Sequence, residues 1–146
     1  MNETADRFRR FIQLAFEHPE GPEVAPAFDR TFQFDLTDAE PFYLELKGGN
    51  LRVAEGDCGL DWKVRDWERV TCVRTSARVL DEILEGRRIM SEAFFDAEIG
   101  FAPRRLADRN TDATAMVAWF YTLFRLAHER AQQTAVQRYL ASSTGA

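Results

Sequence analysis

Residues that build metal centres, redox pairs and covalent active sites are scarce in this chain. It has two histidines, His18 and His128, and two cysteines, Cys58 and Cys72, which form no CxxC pair. Neither histidine has a cysteine or a second histidine at ligand spacing, so the expectation is two surface histidines and no metal. A lone cysteine in a strand-like stretch is ordinarily a small core hydrophobe, which leaves redox chemistry unsupported. Ser76 and Ser91 lack a Gly-x-Ser-x-Gly elbow, and Asp57, Asp61 and Asp66 have no fixed spacing on a defined element. Helix caps and solvated loops account for both sets, and the reading is that the protein is not an enzyme. Gly48-Gly49 precedes a strand rather than a helix, so no phosphate-cradling loop and no nucleotide cofactor are expected. Basic residues are outnumbered: the net charge is -5 and the pI about 5.1. That excludes nucleic acid as the main partner and allows at most transient membrane contact. No apolar run reaches membrane-spanning length or precedes a cleavage site, and Ser143-Thr144-Gly145-Ala146 is no targeting address. The expected location is the reducing cytoplasm.

What is present is a core. Hydrophobic residues make up 45% of the chain, with 12 phenylalanines, against 29% charged residues. That balance suits one soluble domain over residues 1–146, held by burial rather than by staples. Phe8, Phe11, Ile12, Ala15 and Phe16 share a helical face behind Glu3 and Asp6, and His18-Pro19 ends that helix. Pro19 to Pro26 reads as an irregular connector, so residues 1–28 form an N-terminal helix and linker. Phe32, Phe34 and Leu36 alternate as a strand; Phe42, Leu44 and Leu46 do the same, and Gly48-Gly49-Asn50 turns the chain back through Leu51 and Val53. Asp57 to Glu68 mixes large apolar and charged residues without a period. Val70 to Thr75 is again a strand. After Phe101, a loop from Pro103 to Thr111 leads to a long helix capped by Thr111 or Asp112, whose apolar side carries Ala113, Met116, Phe120, Leu123, Phe124 and Ala127. The core is placed at 29–132, with 133–146 as a helix end and frayed tail.

Thr75 to Phe101 is the most informative stretch. Ser76 caps a helix whose face is Val79, Leu80, Ile83 and Leu84, and Gly86 stands where a left-handed terminal residue is wanted. Arg87 and Arg88 lead into a shorter helix with Ile89, Ala93 and Phe94 on one face, and Ile99 and Phe101 flank Gly100 as a strand. The fold class is therefore α+β, a single mainly antiparallel sheet of about five strands covered by helices.

The segments PFYLELKGGNLRVAEGD, VTCVRTSARVLDEILEGR and AFFDAEIGF resemble the sterol carrier protein type-2 domain. That family's pattern is a strand, a Gly-Gly hairpin, a strand ending at a helix-capping Ser or Asp, a helix closed by Gly-Lys or Gly-Arg, and an Ala-Phe pair before a Gly-Lys-Leu strand. The match covers about residues 32–101, with the long helix as an extension. Ala97 stands where the family usually has glycine, Pro103 falls where Gly-Asp often follows the strand, and Asp57 to Glu68 looks like an insertion.

The resemblance implies a non-catalytic pocket for a fatty acid, acyl-CoA or sterol-like molecule between sheet and helices. The residues expected to line it are Leu80, Leu84, Ile89, Phe94, Phe95, Ile99, Phe101, Met116, Trp119, Phe120, Leu123 and Phe124. Arg87, Arg88, Arg104 and Arg105 are candidates for an anionic headgroup, solvated charge being their ordinary reading. The alternative is an interaction module accessory to a lipid-metabolising enzyme, or a homodimer built from the N-terminal helix and the Trp119 face, without a small ligand.

Overall fold

The computed structural model describes residues 2–24, 29–61, 63–66, 69–102 and 109–144, with backbone alone at 23–24, 109–117 and 143–144. The elements are α1 (Glu3–Glu17), α2 (Gly21–Val24), β1 (Arg30–Leu36), β2 (Phe42–Lys47), β3 (Asn50–Glu55), β4 (Val70–Thr75), α3 (Ala77–Leu84), α4 (Met90–Phe95), β5 (Gly100–Ala102) and α5 (Arg109–Thr144). One five-stranded sheet in the order β3-β2-β1-β4-β5 carries the helices on one face. Three pairings are antiparallel; β4 lies parallel to β1, which makes the sheet mixed at its centre.

Alternation sends one set of strand side chains to the helices. Phe32, Phe34, Phe42, Leu44, Leu46, Val53, Val73 and Phe101, together with Ile99 just ahead of β5, join a single cluster with residues of α1, α3, α4 and α5. Phe34 and Phe42 are register partners, and their rings stack at 4.6 Å. Gly48 and Gly49, both at positive φ, form the two-residue turn between Lys47 and Asn50, the mirror-image turn that suits the strand twist.

The helix ends are closed by identifiable groups. Asn2 Oδ1 accepts the Ala5 amide at 2.8 Å and starts α1. Ser76 Oγ accepts the Val79 amide at 3.0 Å, and Asp38, from the β1–β2 turn, accepts the Ala77 amide at 2.6 Å. The Thr37-Asp38 turn thus caps a helix distant in sequence. Gly86, at φ 77°, ends α3 with its amide donating to the Ile83 carbonyl and that of Arg87 to the Glu82 carbonyl.

The end of α4 repeats that pattern without glycine. Ala97 and Glu98 donate to the carbonyls of Phe94 and Ala93, and Ala97 sits at φ 59°. A Cβ in the left-handed region costs roughly 1–2 kcal/mol, and glycine recovers only part of this because it raises chain entropy in the unfolded state. Ala97→Gly is therefore expected to raise the urea midpoint by the equivalent of about 0.5–1 kcal/mol. A lower midpoint would show that the strain is absent.

Three boundaries differ from the sequence reading. Gly21–Val24 forms a turn of helix inside the supposed connector, because Pro22 at its start has no amide to lose there. The backbone of α5 is already helical at Arg109 and continues through Ser142 to Thr144. Ala, Gln and Arg sustain that helix where no apolar stripe announces it. No helix among the described residues is long and apolar enough to cross a membrane.

Candidate functional site

The space between sheet and helices, where the pocket was expected, is filled with rings among the described residues. Phe120 is the hub: its centroid lies 5.0 Å from Phe32, 5.9 Å from Phe101, 5.6 Å from Phe124 and 4.8 Å from Trp119. Trp119 stacks on Phe32 at 5.2 Å, and Phe8 of α1 meets Phe34 at 4.7 Å and Phe42 at 5.2 Å. Leu80, Ile99, Phe101, Phe120 and Leu123 are fully engaged in this cluster, and Leu84, Phe94 and Trp119 pack on its edge.

Between α3–α4 and α5 the helices leave an open cleft of about 290 Å³, lined by Ile83, Gly86, Arg88, Ile89, Met90, Tyr121, Phe124, Arg125, His128, Glu129 and Gln132. Its floor is apolar, from Ile83, Met90 and Phe124, while Ile89 and Tyr121 stand half exposed at its lip. Gly86 borders the α3 end of the cleft, where an added Cβ would make ordinary contact with the His128 ring at 3.5 Å and the φ of 77° is what calls for glycine.

The expected site residues therefore separate. Ile89, Phe124 and Arg88 line the cleft. Phe95 lies 82% exposed on the outer side of α4, against Phe94. Arg87 is paired with Glu85 at 2.6 Å and faces solvent. Arg104, Arg105 and the Met116 side chain fall outside the described residues. Sequence reasoning missed Ile83 and Met90 as floor, and Tyr121, Arg125, His128 and Gln132 as one wall. The last four recur at i, i+4, i+7 and i+11, a single helical stripe beside the more apolar Phe120 face.

The charged groups of the cleft hold one another. Arg88 bridges Asp96 and Glu98, both at 2.8 Å, and ties the connection before α4 to the turn between α4 and β5. Arg125 donates to Glu129 at 2.8 Å, and this hydrogen bond, with a smaller contribution from His18, holds the Glu129 carboxyl below its usual range. His128 Nε2 lies 3.2 Å from the Ile83 carbonyl, with its ring against Phe11.

His18 is not the surface histidine expected. It is 6% exposed, because the end of α1 is pressed against α5. Its Nδ1 accepts the Glu20 amide at 3.0 Å, which places the proton on Nε2, 3.0 Å from the Glu129 carboxylate. His18, Glu20 and Glu129 are close enough to share a metal ion, yet both ring nitrogens already have partners, and a metal at Nε2 would have to displace that proton. The two thiols are no more inviting. Burial pushes Cys72 up to about 11 and raises Cys58 as well, away from the thiolate that reactivity needs.

No protein-family model and no curated protein matches the sequence. Solved structures do match in shape. A crystal structure of sterol carrier protein 2 superposes with a TM-score of 0.56 at 15% identity, over 88% of this chain and 96% of that one. Sterol carrier protein 2 from Yarrowia lipolytica, in its apo form, gives 0.51 at 15% identity over 84% and 88%. A UbiJ-SCP2 ubiquinone synthesis protein gives 0.52 at 14% identity over 82% and 89%. At these identities the likeness is one of fold alone, and the fold is like that of the sterol carrier protein type-2 domain, as the Gly-Gly hairpin and the Ser76-to-Gly86 helix foreshadowed.

Proposed function

We propose, with the sterol carrier protein type-2 fold as premise, that the chain binds and carries a lipid or other hydrophobic ligand without covalent chemistry, in the cleft between α3–α4 and α5. The observation that carries this reading is the cleft itself: an apolar floor of Ile83, Met90 and Phe124 with guanidinium groups of Arg88 and Arg125 at its sides. An acyl chain on that floor gains roughly 0.8 kcal/mol per methylene removed from water, and a carboxylate or phosphate head can share the arginines with their present partners. At about 290 Å³, the cleft is at the small end of ligand pockets and suits a single acyl chain better than a polycyclic one. Arg88, Arg125, Glu129 and His128 are each already held by an ion pair or hydrogen bond, an arrangement that favours binding over proton transfer.

The test uses the delipidated chain and a fluorescent fatty-acid analogue. Ile89→Asp, at the half-exposed N-cap of α4 where an aspartate suits the helix start, is expected to weaken binding about tenfold or more by placing a charge where the chain enters. Arg138→Gln, on the exposed end of α5, should leave affinity unchanged. Absence of binding by the parent, or equal affinity in Ile89→Asp, overturns the reading. Native mass spectrometry of freshly purified protein would give the mass of any co-purifying lipid.

A second reading, an interaction module accessory to a lipid-metabolising enzyme, is favoured by α5. Its last turns expose Val136 and Tyr139, three residues apart on one face, at 56% and 72%. The neighbour described as a ubiquinone synthesis protein supports the same direction. The mass spectrum separates the two readings, since the module predicts a dimer or a protein partner and no bound lipid.

A further inference from the structure

The stripe of α5 that walls the cleft does not stop where the cleft does. Tyr121, Arg125, His128 and Gln132 line the opening, and Val136 and Tyr139 continue the same line toward the end of the helix. At about 100° per residue, all six fall within about 80° around the helix axis. The domain covers only the first part of this line. From Ala131 to Ser142 every side chain is exposed except that of Thr134, so the last turns of α5 project past the rest of the domain with Val136 and Tyr139 more than half exposed. A projecting helix of so few turns gains stability chiefly by packing one face on something else.

The spacing of the stripe is symmetrical about Gln132. His128 and Val136 lie four residues to either side of it, and Arg125 and Tyr139 seven. A second α5 laid antiparallel across Gln132 therefore matches the first position for position. Gln132 meets its own copy, and each of the two amides has a donor and an acceptor for the other. Val136 meets His128. Tyr139 meets Arg125, whose Nη1 is bonded to Glu129 and whose planar guanidinium can lie on a tyrosine ring without giving up that bond. Charge favours the same arrangement. Residues 130–146 contain Arg130 and Arg138 and no carboxylate, which puts +2 on the projecting end and leaves -7 on residues 1–129. Antiparallel pairing sets each positive end over the negative body of its partner, whereas parallel pairing would bring the two positive ends together.

We infer that two copies of this chain pair antiparallel along α5, crossing at Gln132, so that Val136 and Tyr139 of each copy close the mouth of the cleft of the other. The cleft of one copy is open, with Ile89 and Tyr121 half exposed at its lip, and the last turns of the second copy supply the cover. From residue 121 to residue 143 the seam is about 33 Å long, and a strip about 10 Å wide gives roughly 350 Å² per copy. That is less than half of the about 800 Å² per partner of a standard interface, so even with contact at Ile89 the pairing is reversible, with a dissociation constant of about micromolar order. The pairing stands on α5 itself; its part in holding a ligand rests on the lipid reading proposed above.

Sedimentation equilibrium of the full chain, over a concentration series spanning the micromolar range, should give a monomer–dimer equilibrium. Val136→Asp and Tyr139→Asp, both at exposed positions and checked for folding by circular dichroism, should each weaken dimerisation about tenfold or more. Gln132→Glu and Gln132→Lys should each give a monomer, because like charges meet at the crossing, and an equimolar mixture of the two should form a heterodimer. Recovery on mixing is an effect that mere structural damage would not give. A fluorescent fatty-acid analogue then separates the pairing from the lipid reading. Where the parent is dimeric, Tyr139→Asp should bind the analogue several-fold more weakly than the parent does. A parent that stays monomeric throughout, a dimer indifferent to Val136→Asp and Tyr139→Asp, a charge-swapped mixture that stays monomeric, or equal affinity of Tyr139→Asp and the dimeric parent for the analogue overturns the proposal. A dimer that responds as expected but binds no fatty acid supports the pairing and overturns the lipid reading alone.

Discussion

Phe120→Ala is expected to destabilise the protein by about 3–5 kcal/mol, the range for removing a fully buried phenylalanine. The ring is 1% exposed and touches Phe32 and Phe34 on the sheet, Phe101 at its edge, and Trp119 and Phe124 on its own helix. Its loss would leave a cavity where sheet and α5 meet, and neighbouring rings fixed by strand and helix backbone cannot close it. Against a total of about 5–15 kcal/mol for a domain, that is roughly a fifth of the stability or more. Urea unfolding followed by tryptophan fluorescence measures it. Tyr121→Ala, next in sequence but half exposed at the cleft lip, should cost less than about 1 kcal/mol. A Phe120→Ala cost as small as that would show that the ring cluster does not join sheet to helix. The comparison also bears on function: impaired ligand uptake in Phe120→Ala would report a loosened core, and the cleft has to be tested at Ile89 or Tyr121.

The strands were legible because one face of the sheet is buried and alternation records that directly. Phe32, Phe34, Leu44, Leu46 and Val53 all lie where period two puts them. Ser76 and Gly86 were legible for a different reason, since an N-cap and a left-handed terminus each constrain residue type locally. Alternation carries no information about a strand's partner or its direction, so the parallel pairing of β1 with β4 could not be read from it. Nor does a local pattern report a contact across 111 residues, so nothing near His18 in the sequence signals that Glu129 lies beside it. The aromatic excess was read, through the resemblance, as the wall of a pocket. Most of those rings instead fill the space between sheet and helices, and the cleft is bounded by a neighbouring stripe of α5 whose polar members, Arg125, His128 and Gln132, gave no apolar signal. The aromatic residues thus report core, and the opening lies where the apolar face of α5 gives way to polar residues.

Deletion of residues 1–20 is expected to abolish cooperative folding. Were α1 an accessory lid, its apolar face would close over a domain already complete. The structure makes it part of the core. Ala5, Phe8, Ile12 and Ala15 are wholly buried and Phe11 nearly so, with Phe8 between the strand rings of Phe34 and Phe42 and the Phe124 ring of α5. Burying the three large side chains contributes roughly 1.5–3 kcal/mol each, or about 5–9 kcal/mol together, an upper figure because the unfolded chain already buries part of that surface. Even the lower end is comparable to a domain's whole stability. The Arg7–Asp81 and His18–Glu129 contacts fix how α1 lies on α3 and α5, and the former, partly exposed, adds little. The shortened chain should therefore lose its near-ultraviolet circular dichroism, bind a hydrophobic dye such as ANS, and show no sigmoidal urea transition. Phe8→Ala in the full chain should retain a transition displaced by about 3–5 kcal/mol. A lid would behave in the opposite way: the deletion would keep a sharp transition and admit a fluorescent fatty acid faster than the parent, and that result would return α1 to an accessory role.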